Sequence, residues 1–434
     1  MNTTFNTTST SSAVSLRPIA RGGVTSAQGF TAAGVHAGFR KNPGRADLAL
    51  VVADRPVAAA GVFTTNRFCA APVQVSREQL GGIEHGYGTM RAVVINSGNA
   101  NAATGEPGLA IARETCGVVA DALGCKAGEV LVASTGVIGV PLDIEPFEQG
   151  VPQAAAALSR EGAHDAARAI MTTDTHAKEY AVAYESTAPG FEGCAFTVGG
   201  MCKGSGHDHA EHGDHDRRHH HRRPPVQPAA LHEILLSQVR VTFNKVTVDS
   251  DSSTNDTCVI FASGDAAPGV ALIEQGTPAY AELCQAVHAM CENLARAIAA
   301  DGEGASKLVT VNVHGAATKA DAAYRRPFRC QFAAGQDCDR RSRLQLGAHC
   351  GGLGNAGCRS IRAGSTSTSW GCPCVVPASP CPSMRPRPCD DSRSPRSSSR
   401  PTWARARAPR RCGPATSRTN TCPSTPITVP RSKS

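Results

Sequence analysis

Two short apolar runs, residues 48–54 (LALVVAD) and 91–96 (RAVVIN), have the length and composition of buried strands. The stretch between them, AAGVFTTNRFCAAPVQVS, alternates in a strand-like way. Residues 107–123 place Leu109, Ala112, Cys116, Val119 and Leu123 on one face at helical spacing, with Pro107 in the first turn and Gly124 as the stop. A strand over 130–134 (VLVAS) runs into Thr135-Gly136, and a helix over 162–171 runs into Thr172-Thr173-Asp174-Thr175. Further on the pattern predicts a helix over 228–240 and a strand over 244–250. A long helix over 279–300 has Tyr280, Leu283, Val287, Leu294 and Ile298 in register, ends at Gly302, and is followed by a strand over 307–313. Strands interleaved with helices over about 300 residues predict a layered α/β domain.

Two segments break this pattern. Residues 207–223 (HDHAEHGDHDRRHHHRR) hold seven of the fifteen histidines and one apolar residue, Ala210. Residues 326–434 have no sustained period, are rich in Arg, Pro, Ser and Cys, and contain no Glu. Neither buries enough apolar surface to fold alone, so the C-terminal part is expected to be disordered as written.

Composition follows the same division. Across 434 residues, 41% are hydrophobic and 18% charged, which provides for a sizeable core. Residues 1–325 carry 25 Lys and Arg against 32 Asp and Glu, while residues 326–434 carry 19 against 4. The formal charge of +8 therefore describes no single globular body, and it gives no warrant for a nucleic-acid partner. No apolar run approaches the roughly 18 residues of a membrane span. The eight cysteines before residue 326 have no CxxC spacing and read as reduced thiols of a cytoplasmic protein. Residues 1–16 are rich in Ser and Thr and lack the apolar core of a secretory signal. They read as a frayed terminus, and Arg17 and Arg21 leave a transit-peptide reading open.

Several short motifs follow strands. Asn96-Ser97-Gly98-Asn99-Ala100-Asn101 is either an Asn-rich turn or the wall of a polar pocket. Thr135-Gly136 places a hydroxyl beside a glycine N–H, a pair able to stabilise an oxyanion. Lys203-Gly204-Ser205-Gly206 presents a cation suited to a carboxylate and does not match a phosphate loop. In Asp301-Gly302-Glu303-Gly304 a carboxylate lies between glycines, as an ammonium ligand or a helix stop. The acidic run Asp249 to Thr257 lacks the central Gly and final Glu of a calcium loop.

The order of blocks is more informative than any one of them. GVHAGFR, DLALVVAD, AAGVFTTN, AAPVQVSR, VVINSGNANAATG, VASTGVIGVPL, IMTTDT, KGSG, FNKVTVDSDSSTNDT and DGEGASKLVTV together resemble the ornithine acetyltransferase (glutamate N-acetyltransferase) family of arginine biosynthesis, over residues 20–206 and 226–325. The resemblance implies a precursor that cuts itself before a threonine in a PNMATM-like motif. The new N-terminal Thr becomes the nucleophile, with its own α-amine as base. It implies ping-pong transfer of acetyl from N2-acetylornithine to glutamate on an αββα layered sandwich of the N-terminal-nucleophile type, assembled as a heterotetramer of two α and two β chains. Matched residue by residue, Thr135 and Gly136 take the oxyanion hole, and Thr172, Lys203 and Glu303 take substrate contacts. No resident cofactor or metal is implied; acetyl-CoA enters only as a co-substrate of the bifunctional members.

The sequence departs from this family at the nucleophile. The threonine is due eleven residues after Lys203, where Asp214 stands, and no PNMAT occurs anywhere. Yet codons chosen for residues 207–222 and read one base later spell MIMPNMATMIAVITTD, which places the threonine at position 214. Residues 330–341 treated likewise spell ANSPLVKTAIAG, and residues 411–430 shifted the other way resemble the family's last segment. The chain thus divides into a terminus (1–20), an α-chain-like region (21–206), a frameshifted insert in place of the cleavage motif (207–225), a β-chain-like region (226–325) and a frameshifted basic tail (326–434). As written it is expected to be inactive.

Three rival readings remain. His207, His209, His212, His215 and His219 to His221 are able to take Zn²⁺ or Ni²⁺ as any such tract would. The basic tail, with Phe328, Trp370 and Trp403 but no regular aromatic interleaving, predicts only salt-sensitive nonspecific binding to nucleic acid. An aminopeptidase of the same architecture would hydrolyse peptides, against which the blocks NSGNAN, STGVIG and MTTDT argue.

Overall fold

The computed structural model describes residues 13–82, 85–204, 226–246, 248, 252–264, 272–302, 305, 308, 310, 366–369 and 372–375. The expected strand over 307–313 lies outside these residues apart from 308 and 310, as do the histidine-rich segment and, save one short hairpin, the tail.

The centre is a five-stranded sheet formed by β2 (Phe30–Val35), β3 (Leu48–Phe63), β4 (Tyr87–Asn99), β5 (Val130–Val137) and β8 (Thr257–Ala262), in the order β2-β3-β4-β5 with β8 paired to the second half of β3. β4 and β5 run parallel and are joined through helix α2 (Gly105–Leu123), a right-sized crossover for one βαβ unit. The apolar runs at 48–54 and 91–96 are the first half of β3 and the middle of β4, which are buried on both faces. On β3, Leu48, Leu50 and Val52 point toward α2 and α3 (Glu145–Ala156), while Ala49 and Val51 pack with Ala166 and Ala169 of α4 (Ala163–Ala169). This two-sided coverage explains why β3 reads as a continuous run, where a one-sided strand would alternate. Each fully buried leucine here contributes on the order of 1.5–3 kcal/mol.

A smaller sheet, in the order β1-β6-β7, is made by β1 (Arg17–Pro18), β6 (Lys178–Glu185) and β7 (Ala195–Cys202). Val182, Tyr184 and Phe196 share one cluster with Ala58 and Ala60 of β3, Leu231 and Ile234 of α5 (Pro228–Val241), and Leu283, Val287 and Leu294 of α6 (Pro278–Ala300). The expected mixed α/β architecture is thus present as two sheets with helices packed on them. A hairpin of β9 (Thr366–Ser369) and β10 (Cys372–Val375) completes the described elements.

Three expectations are corrected. Residues 71–76, expected to continue a strand-like alternation, lie in helix α1 (Ala71–Gln79). Pro72 starts it, and Ser76 Oγ donates to Val132 O (2.7 Å) and accepts from Val132 N (2.8 Å) on β5, so tertiary contacts override the β-branched pattern. Residues 243–245, the start of the expected strand 244–250, form a 3-10 turn in which Lys245 and Val246 donate to carbonyls three residues back. Helix α6 runs as expected, capping on Asp301 with Gly302 directly after it. The first twenty residues are not all loose: Arg17–Pro18 pairs with β6, and Val14 N donates to Gln285 Oε1 (3.1 Å). The predicted helix stop at Gly124 takes the left-handed conformation at φ +62°, donating to Ala120 O. All eight cysteines before residue 326 are free.

Candidate functional site

Thr135 and Gly136 lie at the C-terminal end of β5, in register with Ser97 and Gly98 on β4. Ends of parallel strands expose backbone to a ligand, and here the two strands come unusually close. A Cβ on Gly136 would fall 2.3 Å from the Gly98 carbonyl carbon and 2.5 Å from its oxygen, and Gly136 has φ +137°. Only glycine satisfies both conditions. Gly136→Ala is expected to destabilise the protein by roughly 3 kcal/mol or more. A thermal melt that moves by less than the equivalent of about 1 kcal/mol defeats this account.

The loop after β5 is held from two sides. Asn99 Nδ2 donates to the carbonyls of Val140 (3.1 Å) and Pro141 (3.2 Å), and Asn101 Nδ2 to Gly108 O (2.9 Å). These amides are spent on backbone, as in the turn reading of the Asn-rich motif. Asn255 Nδ2 reaches from the acidic 249–257 run to Ala100 O (2.7 Å) and Ser134 O (2.8 Å). That run therefore contributes a tie across the strand ends.

Lys203, just past β7, is half-buried and donates from Nζ to Thr135 Oγ1 at 3.1 Å. Burial pulls its ammonium below the ordinary lysine value; Asp174 and Asp256 pull it back up, and Lys178 adds to the lowering. The next residue is fixed as well: Gly204 N donates to Asp174 Oδ1 (2.8 Å). The other oxygen of Asp174 accepts from Thr172 N (2.9 Å). One carboxylate thus ties Thr172 to Lys203-Gly204, segments separated by 30 residues.

Behind this tie is a buried ionic triad. Lys178 Nζ, with no exposed side-chain surface, donates to Asp174 Oδ1 (2.6 Å) and Asp301 Oδ2 (2.5 Å). Thr175 adds its N–H (3.0 Å) and its hydroxyl to Asp301. Burial alone would raise the Asp174 carboxyl, but hydrogen bonds from Lys178, Gly204 and Thr172 outweigh it and hold the group at about 2. Asp301 is lowered in the same way, and Lys178 is raised above the ordinary lysine value because its two carboxylates outweigh its own desolvation. On the far side Arg40 donates to Met171 O (2.6 Å), and Arg45 donates to Met171 O (3.2 Å) and Thr172 O (2.7 Å). The turn bearing Thr172 is clamped from both directions.

Of the residues singled out from sequence, Thr135, Gly136, Thr172 and Lys203 converge here. Glu303 and Asp214 lie outside the described residues. Sequence reading missed Lys178, Arg40, Arg45 and the structural use of Asp174 and Asp301. The Asp174–Lys178 spacing was a visible signal, whereas the partnership with Asp301 was not. Among the described residues no group of His, Cys, Asp and Glu is arranged to hold a metal ion, and no helix is long and apolar enough to cross a membrane.

The ArgJ family matches this sequence over residues 31–325. The arginine biosynthesis bifunctional protein ArgJ of Symbiobacterium thermophilum is 46% identical over 308 residues, spanning 69% of this chain and 72% of that protein. The ArgJ of Thermosynechococcus vestitus is 44% identical over 302 residues, spanning 68% and 67%. Among solved structures, ArgJ of Bacillus halodurans is similar at 37% identity and a TM-score of 0.41, over 46% of this chain and 98% of that one. Ornithine acetyltransferase of Mycobacterium tuberculosis, solved with ornithine, is similar at 40% identity and 0.40, over 45% and 99%.

Proposed function

This chain belongs to the ArgJ family of arginine-biosynthesis proteins, and from that membership we propose that its site is built to move acetyl from N2-acetylornithine to glutamate in two ping-pong steps. The observation that carries the reading is the 3.1 Å contact of Lys203 Nζ with Thr135 Oγ1 at the end of β5. It places a cation beside the hydroxyl and glycine backbone that would receive the charge of a tetrahedral intermediate. Thr135 and Gly136 stabilise that oxyanion, a contribution of about 3–4 kcal/mol per donor in comparable sites. Lys203 takes the amino-acid carboxylate, Thr172 orients the substrate, and Glu303 takes its ammonium end. Acetyl-CoA serves as an alternative acetyl donor. The family assembly, two α and two β chains in the cytoplasm, is the proposed parent state.

The nucleophile is the missing part. Asp214 occupies the position of the threonine, so the chain as written holds the half-site that stabilises charge and lacks the threonine that would carry acetyl between substrates. We therefore expect no ornithine release from N2-acetylornithine and glutamate by the chain as written, and release by a chain carrying residues 207–222 and the tail in the shifted reading. Equal activity in the two would sink the proposal.

A further inference from the structure

The oxyanion pair has a nucleophile beside it even without the threonine. Lys203 Nζ is 3.1 Å from Thr135 Oγ1. The backbone next to it is anchored, because the Gly204 N–H is tied to Asp174. A carbonyl whose oxygen accepts from Thr135 and Gly136 would sit beside Nζ, and attack requires its carbon to come within roughly 3–3.5 Å of that amine. We propose that Lys203 is an acyl acceptor, so that the chain as written acetylates itself at this amine when given an activated acetyl ester or thioester. This rests on the oxyanion assignment made above.

In the step, the neutral amine adds to the acetyl carbonyl and an N–C bond forms. The C–S bond of a thioester, or the C–O bond of an activated ester, then breaks. The leaving thiolate or phenolate departs with the electron pair, and the nitrogen gives up its proton to solvent. No oxidant or metal is needed. The product is an amide, which does not pass its acetyl on, so the reaction stops at one acetyl per chain. Burial favours the neutral amine, with Lys178 on the same side of the balance and Asp174 and Asp256 opposing it. Lys178 provides the contrast within the same site: it is held between two carboxylates, stays charged and has no free lone pair. Lys41 and Lys126 are exposed and serve as internal references for uncatalysed acetylation.

The test uses the full chain as written, p-nitrophenyl acetate as probe and acetyl-CoA in a parallel series, with acetylation at each lysine followed by peptide mass spectrometry. Lys203 is expected to react at least tenfold faster than Lys41 and Lys126. Thr135→Val is expected to bring Lys203 down to their rate while leaving theirs unchanged. A Lys203 rate no higher than those of Lys41 and Lys126 in the unaltered chain overturns the proposal. Fast labelling of Lys203 that survives Thr135→Val keeps Lys203 as acceptor and overturns the oxyanion assignment, which separates the two failures.

Discussion

Expressed as written, the full chain stays uncut, giving one full-length band on a denaturing gel at every incubation time. Self-cleavage of the family kind needs a hydroxyl that attacks the preceding carbonyl and an α-amine that, once released, acts as base. At position 214 the side chain is a carboxylate, which at neutral pH only accepts hydrogen bonds and cannot form the ester through which the peptide bond is broken. Removing the attacking group of a catalytic unit costs on the order of a million-fold in rate, which here means no cutting on any practical timescale. Replacing residues 207–222 with the reading one base later restores Thr at position 214, and that chain is expected to yield two fragments of nearly equal size. Two fragments from the unaltered chain, cut before residue 214, would refute the assignment of the lost nucleophile. The charge-stabilising half of the site is not expected to compensate, because no hydroxyl stands at position 214 to attack the preceding carbonyl.

Much of the scaffold was legible because its periods are plain. The buried runs on β3 and β4, the stripe of α2 with Gly124 after it, and the register of α6 each follow from spacing alone. Helix α1 was not, since Val73 and Val75 alternate as they would on a strand and only the contact of Ser76 with β5 decides the matter. The site was legible as a set of blocks, but not as geometry. Thr135 and Lys203 are 68 residues apart and touch only because β5 and the end of β7 meet. Lys178 shows only its four-residue spacing from Asp174. Its role comes from a partner 123 residues away, at the cap of α6, which no local pattern encodes. The Asp301 cap joins the two levels: the residue that ends the helix, directly before Gly302, also holds Lys178 and Thr175 through its side chain.

That triad predicts the largest stability effect in the molecule. Lys178→Met leaves Asp174 and Asp301 as two buried carboxylates without their shared cation, and breaking such a buried pair costs about 3–5 kcal/mol. The melting temperature is expected to fall by on the order of 10 °C. A double change, Lys178→Met with Asp301→Asn, recovers part of the loss, because one of the uncompensated charges is gone. The pH dependence has a definite sign. Asp174 is held at about 2 against an ordinary 3.8, and Asp301 is also lowered, so their contribution is fully present above the unfolded value. It fades as pH falls from about 4 toward 2, where the unfolded chain takes up protons that the folded carboxylates resist. Lys178 is raised above its ordinary 10.5, so its share is fully present below that value and is lost only as pH rises through the folded value. The gap in stability between the unaltered chain and Lys178→Met is therefore expected to be widest at neutral to mildly alkaline pH and to shrink on acidification, starting above about pH 4, because burial without the lysine raises the variant's carboxyls and lets them shed their charge. Urea melts of the two proteins across that range measure it. A gap that is small at neutral pH, or that widens in acid, would mean that the triad does not hold the Thr172 turn to the end of α6.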